Sequence, residues 1–182
     1  MLNHKGTVTL KTGRLVLRRF AMEDAQAMYD NWASDELVPR FLSWEPHASI
    51  DVSKDVLSKW IPEYEKPDHY QWLIEFGGIP VGGLNLHAIS EKSLRAEMGY
   101  SIGSRWWGRG ITAEAAAAVL RFAFEEVGFN KICALHDTGN PGSGRVMQKA
   151  GMIREGHFVK HSLRKDGTWG DVDFYSIWRA GA

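Results

Sequence analysis

Three apolar runs follow one another between residues 70 and 102, "YQWLIEF" (70–76), "PVGGLNLHAI" (80–89) and "RAEMGYSI" (95–102), joined through "GGIP" and "SEKS". Connections this short read as hairpin turns between antiparallel strands, because a parallel return needs a crossover of a dozen residues or more. The next element is that crossover. Ala116, Val119, Leu120, Ala123 and Val127 fall on one face of a helix that stops at Gly128, and "KICALHD" (131–137) then reads as a strand. The centre of the chain is therefore one strand–helix–strand unit.

The flanks extend the pattern. "RLVLRRF" (14–20) alternates as a half-buried strand does, and "MEDAQAMYDNWA" (22–33) places Ala25, Met28, Tyr29 and Trp32 at helical spacing. A second helix is expected over 51–65, kinked or ended by Pro62. "PGSGRVMQKA" (141–150) reads as a short helix stopped by Gly151, followed by strands near 152–161 and 171–178 across "RKDGTWG". The order is β-α-α-β-β-β-α-β-α-β-β, an α+β pattern. The 182 residues suit one domain, 1–182, with no linker or repeat to divide it.

Charge and cysteine usage narrow the partners. Lys plus Arg and Asp plus Glu balance at 22 each, so no net field draws the chain to nucleic acid or an anionic membrane. No stretch approaches the ~18 apolar residues of a membrane span, and the N-terminus has no secretory apolar run. Cys133 is the only cysteine, which fits a reducing cytoplasm, and its flanks in "KICALH" read as a packed thiol.

The chemistry is expected at "SRWWGRGITAEA" (104–115), where a strand runs through a glycine-rich turn into a helix. The first N–H groups of such a helix lack intrahelical partners and, with the helix dipole, favour an anion. As a P-loop the stretch fails, because Arg109 and Gly110 stand where Lys and Ser/Thr are required. As a dinucleotide fingerprint, Gly108-x-Gly110-x-x-Ala113 matches and Asp137 ends the following strand as a ribose-binding acid would. Against this, "GSRWW" separates strand from glycine, and the 45 residues after Asp137 are too few for the rest of a doubly wound sheet. A third pattern, R/Q-x-x-G-x-G/A, is matched by Arg105, Gly108 and Gly110.

With that motif, "TGRLVLRRF", "EMGYSIGSRWWGRGITAEA", "GNPGSGRVMQKAGMIREG" and "DGTWGDVDFYSI" in order resemble the GNAT superfamily of acyl-CoA-dependent N-acetyltransferases, and most closely its ribosomal-protein branch. The resemblance implies a GNAT-type mixed, mostly antiparallel central sheet of about seven strands flanked by about four helices. It implies acetyl-CoA as acyl donor and no metal. The cofactor is then expected along Ile102, Arg105, Trp107, Gly108, Arg109, Gly110, Ile111 and Thr112, with the turn's amides on the pyrophosphate. Arg105 and Arg109 add charge there or are solvated surface; Thr112 is a cap or a phosphate ligand; Trp106 and Trp107 brace the turn. Asn140 matches the asparagine that hydrogen-bonds the pantetheine arm, and Lys149 sits where a cation near the 3′-phosphate is expected.

For catalysis the resemblance points to Glu97 as the base that receives the amine's proton, with His87, His136 and Asp137 as secondary candidates. Many relatives carry a thiolate-protonating tyrosine seven residues after the asparagine, where this chain has Met147. Ser143, which matches a serine of the ribosomal-protein branch, is expected to bind the cofactor, donating a hydrogen bond to the thiolate or to the pantetheine, or else to be a helix cap. Phe41, Trp44, His87 and Trp169 are expected at the acceptor. The acceptor is an amine, with protein N-termini among the choices, and the protein a monomer or homodimer. A non-catalytic acyl-CoA sensor on the same fold is the alternative reading.

Overall fold

The computed structural model describes residues 1–179. Eight strands form one sheet in the order β1-β2-β3-β4-β5-β6-β8-β7. They are β1 (Leu10–Lys11), β2 (Leu15–Arg18), β3 (Tyr70–Phe76), β4 (Ile79–Ser90), β5 (Arg95–Ile102), β6 (Lys131–Asp137), β7 (Ile153–Leu163) and β8 (Trp169–Trp178). The strand beyond the expected seven is the two-residue β1, which pairs Leu10 with Leu17 and Lys11 with Val16. Every neighbouring pair is antiparallel except β5–β6, which is parallel as the crossover helix requires. The four helices are α1 (Ala25–Met28), α2 (Ile50–Glu63), α3 (Ile111–Phe122) and α4 (Pro141–Lys149). A 3-10 turn opens α1, π turns continue α1 to Ala33 and α3 to Val127, and a further 3-10 turn spans Val38–Phe41.

Alternation along β3 divides the core into two layers. Trp72 and Ile74 point to the α3 side, where Leu84, Met98, Ile132 and Ala134 pack under Ile111, Ala115, Ala116, Val119 and Leu120. Leu73 points the other way, into Phe20, Met28, Trp32 and Leu57 of the α1–α2 layer. Alanines on the buried face of α3 let it lie close to the sheet, which fixes the height of its N-terminus above the strand ends. Cys133 is buried, as its strand context predicts. Among the described residues no helix is long and apolar enough to cross a membrane.

One ion pair anchors the end of β6. The side chain of Asp137, 6% exposed, accepts from Arg164 Nε at 2.8 Å, from Arg164 Nη2 at 2.7 Å and from the Gly139 N–H at 2.7 Å. Arg164 holds the carboxyl below its ordinary pKa. Removing the arginine leaves the Asp137 carboxylate without its ion-pair partner, so Arg164→Ala should lower the urea midpoint at pH 7. A depressed folded-state pKa contributes stability above the unfolded value and loses it as pH falls through the folded one. The gap between variant and wild type should therefore close as pH drops below about 4. A gap that persists unchanged at pH 2 would show that the effect is not the ion pair.

Candidate active site

The parallel pairing of β5 with β6 is short. It joins Arg95 to Lys131, Ala96 to Ile132 and Glu97 to Cys133, and then stops. Both strands continue, to Ile102 and Asp137, without pairing to each other. A cavity of about 380 Å³ is lined by the far end of β5, the turn before α3 and the first turns of α4. Pairing stops at Glu97, which stands at the apex of a fork whose arms open onto that cavity, although neither Glu97 nor His87 is among the residues that line it.

Glycine conformation builds one wall. Gly108 (φ +76°) and Gly110 (φ +75°) both adopt the left-handed region, and Gly110 is the N-cap of α3 with no side-chain cap. A Cβ on Gly108 would meet nothing within 4 Å, so backbone conformation rather than crowding demands glycine there. Among the described residues none accepts a hydrogen bond from the backbone N–H groups from Gly108 to Ala113. Gly108, Gly110, Ile111, Thr112 and Ala113 all line the cavity, so this run of donors at a helix N-terminus faces it. Thr112 is buried rather than capping the helix.

The turn is held from both sides. The Ser104 N–H donates to Asp35 Oδ2 at 3.0 Å, and Trp107 Nε1 donates to the Ile102 carbonyl at 2.9 Å. The Arg14 guanidinium donates to the Arg109 carbonyl and pairs with Glu114 Oε2 at 2.7 Å, which ties the β1–β2 turn to the start of α3. Trp106 is buried and braces the turn as expected, whereas Trp107 is half exposed at the cavity mouth.

Two expected charges do not line the cavity, and others do. Arg105 lies over the Trp106 ring, 4.0 Å from its centroid, and hydrogen-bonds Asn31 Oδ1. Arg109 is exposed, with only its carbonyl engaged. Lys149 does line the cavity, joined by Arg145, which the sequence reading passed over. The four-residue spacing of Arg145 and Lys149 on α4 is the signal that could have found it.

On α4, Asn140 is the N-cap, and its side-chain oxygen accepts from the Ser143 N–H at 3.3 Å. Asn140, not Ser143, is therefore the cap, and the asparagine keeps its amide N–H groups for the cavity. The Ser143 hydroxyl lies 2.8 Å from the Tyr100 hydroxyl. Tyr100 lines the cavity, and burial pushes its phenol up to about 12. Met147 is buried.

Glu97 lies on the opposite face of β5 from Met98, Tyr100 and Ile102, as alternation predicts, beside His87 on β4. His87 Nε2 is 3.6 Å from Glu97 Oε1 and holds the carboxyl below the usual range. Of the secondary base candidates Asp137 is engaged, and His136, bonded through Nδ1 to the Asp137 carbonyl, has its Nε2 buried without a partner among the described residues. Asp137 belongs to Arg164, and the His136 ring lies beneath α4, where a Cβ on Gly144 would come within 2.6 Å of its Nε2.

A second cavity of about 480 Å³ takes Phe41 together with Glu36, Arg40, Glu45, Gly139, Arg164, Lys165 and Asp166. Val38 and Leu42 of the same segment line the first cavity, so the Val38–Phe41 turn separates the two. Trp44 and Trp169 line neither; the Trp44 carbonyl accepts from Lys165, and Trp169 is exposed on β8.

Comparison with known proteins identifies this architecture. The family described as acetyltransferase (GNAT) domain matches residues 14–153. The chain belongs to the GNAT acetyltransferase family. It is 31% identical to the uncharacterized N-acetyltransferase YoaA of Bacillus subtilis over 92% of this chain and 95% of that one. It is also 31% identical to the ribosomal protein uS5-alanine N-acetyltransferase of Escherichia coli, over 90% of this chain and 87% of that one. The crystal structure of a GNAT-family acetyltransferase from Bacillus anthracis superposes with a TM-score of 0.81 at 26% identity, covering 94% of this chain and 98% of that one. The GNAT fold thus carries the mixed eight-stranded sheet and four helices, and the protein is an N-acetyltransferase whose family uses acetyl-CoA.

Proposed function

We propose that this GNAT enzyme transfers the acetyl group of acetyl-CoA directly to a primary amine while both are bound, with a protein N-terminal α-amine as the preferred acceptor. The run of open N–H groups from Gly108 to Ala113, facing a cavity at the fork of β5 and β6, carries the reading. Those donors fit a pyrophosphate, Arg145 and Lys149 supply cations at the far wall, and the Asn140 amide suits the amides of a pantetheine arm. Ile102, Trp107, Gly108, Gly110, Ile111, Thr112, Asn140, Ser143 and Lys149 are therefore proposed as cofactor contacts, whereas Arg105 braces the turn over Trp106 and the Arg109 side chain is solvated.

Bound acetyl-CoA supplies the activated acyl group. Glu97, at the apex of the fork, receives the proton the amine sheds as it attacks the thioester carbon, and Ser143 donates a hydrogen bond to the sulfur as the C–S bond breaks. The second cavity, lined by Phe41 with three carboxylates and three cations, is the proposed approach of the amine. His87 contributes through Glu97. The α-amine preference rests on the likeness to the uS5-alanine enzyme, and the single buried Cys133 suits work in the cytoplasm.

The test is a calorimetric titration with acetyl-CoA, followed by free-thiol release with alanine-starting peptides, spermidine and other small amines. Saturable binding and turnover on the peptides are expected. Turnover confined to small amines overturns the acceptor assignment. Binding without turnover on any amine makes the protein an acyl-CoA sensor, and no binding removes the reading altogether.

A further inference from the structure

We propose that Tyr100 is a positioning residue for acetyl transfer: its hydroxyl fixes the Ser143 side chain so that the serine proton points at the departing sulfur. This inference rests on the reading above, in which acetyl-CoA lies in the β5–β6 cleft.

Both side chains line that cleft. The Tyr100 hydroxyl is 2.8 Å from Ser143 Oγ and 3.0 Å from the Ser143 carbonyl, so the contact ties β5 to the first turn of α4 across the mouth of the fork. Each hydroxyl has one proton and two acceptor sites. If Ser143 gave its proton to Tyr100, none would be left for a ligand. The opposite sense leaves the serine proton free, and the chemistry of the pair favours it. The phenol, pushed upward by burial, remains protonated and a constant donor. The tyrosine proton has two acceptors in reach, the Ser143 carbonyl at 3.0 Å and Oγ at 2.8 Å, and we assign it to the nearer one.

A serine hydroxyl without such a partner rotates among staggered wells. Held by Tyr100 on one side, its remaining lone pair and proton face the cleft. The device answers the substitution at Met147, which has no proton to offer and is buried out of reach. In the step itself the amine nitrogen bonds to the thioester carbon, the C–S bond breaks with its electron pair on sulfur, and the amine's proton passes to Glu97. Ser143 Oγ–H stabilises the thiolate by hydrogen bonding and keeps its proton.

Four variants test this with the amine that turns over best: Tyr100→Phe, Ser143→Ala, the double variant and Ser143→Thr. Tyr100→Phe is expected to lower kcat by about 10- to 100-fold, the worth of one hydrogen bond to a charged group. The KM for acetyl-CoA should stay within about twofold of wild type, since that contact is made only as charge develops. The double variant should be no slower than Ser143→Ala, because both changes remove one device. Ser143→Thr, which keeps the hydroxyl, should retain most of kcat and does not depend on the tyrosine variant folding.

Losses that multiply in the double variant, a Tyr100→Phe effect confined to KM, or a wild-type kcat for Tyr100→Phe each overturn the proposal. So does a Ser143→Thr variant as slow as Ser143→Ala. A Ser143→Ala variant with wild-type kcat removes Ser143 from the step and this inference with it, while acetyl transfer stands. No turnover on any amine with the wild type removes the proposed function first.

Discussion

Gly103→Ala is expected to destabilise the protein by about 3 kcal/mol and to weaken acetyl-CoA binding at least tenfold, with the 3 kcal/mol at the upper end of ordinary overpacking. A Cβ at this position would stand 2.0 Å from the Asn31 carbonyl oxygen and 2.8 Å from two atoms of the Trp106 ring. Neither neighbour can give way cheaply. Asn31 is held by its Nδ2 donating to the Pro80 carbonyl at 2.6 Å, and the Gly103 N–H donates to the Val81 carbonyl at 3.0 Å. Trp106 is buried beneath the cleft. The chain can relieve the clash only by lifting the 103–107 turn, which carries Trp107 and Gly108 with it and misaligns the donors that follow. Gly108→Ala is the matched control. It meets open space but must hold φ near +76°, at a cost of about 1–2 kcal/mol. Urea denaturation and calorimetry on the two variants separate the causes. If Gly103→Ala is no less stable than Gly108→Ala, the crowding argument is wrong.

That comparison also shows what a sequence can announce and what it cannot. The meander over 70–102 and the crossover to β6 are legible because short connections and the change of apolar period act locally. The glycine turn is legible for the same reason, since left-handed backbone and open helix-start amides are properties of a few consecutive residues. The two-residue β1 gives no such signal, because its pairing with β2 is its only structure.

Charges near the turn illustrate the limit. Sequence proximity to the glycines makes Arg105 and Arg109 look like phosphate ligands, yet Asn31 and the Trp106 face hold Arg105 elsewhere. Arg14, far away in the chain, is the guanidinium that touches the turn, through the Arg109 carbonyl. Arg145, Val38 and Leu42 reach the cleft only through the docking of α4 and of the Val38–Phe41 turn. The direction of Tyr100 can be read from alternation along β5, but its meeting with Ser143 depends on where α4 lands. Asp137 shows the reverse. Its place at the end of β6 marks it as a ribose acid or base, and only the β7–β8 turn reveals the arginine that occupies it.

Glu97→Gln should reduce kcat/KM by about 100-fold or more, the range general-base catalysis supplies, with little change in the KM for acetyl-CoA. The variant keeps the shape and the strand pairing at the fork and removes only the ability to take a proton. The low position of the carboxyl, held there by His87, at first sight makes Glu97 a poor base. The amine, however, becomes acidic only as its nitrogen bonds to the acyl carbon and turns cationic, so a weak base at the apex is sufficient at that moment. The amine must arrive neutral, and a free α-amino group has a pKa of about 7.7–8.0. The sign of the pH dependence follows. Because the carboxyl titrates below its usual range, Glu97 stays ionised from about pH 5 upward and contributes no limb there. In the wild type kcat/KM should rise with pH through the range of the acceptor amine and then level off. In Glu97→Gln the limb should keep its position while the plateau falls. A variant whose plateau matches the wild type would remove Glu97 from the proton's path and leave water at the fork as the acceptor.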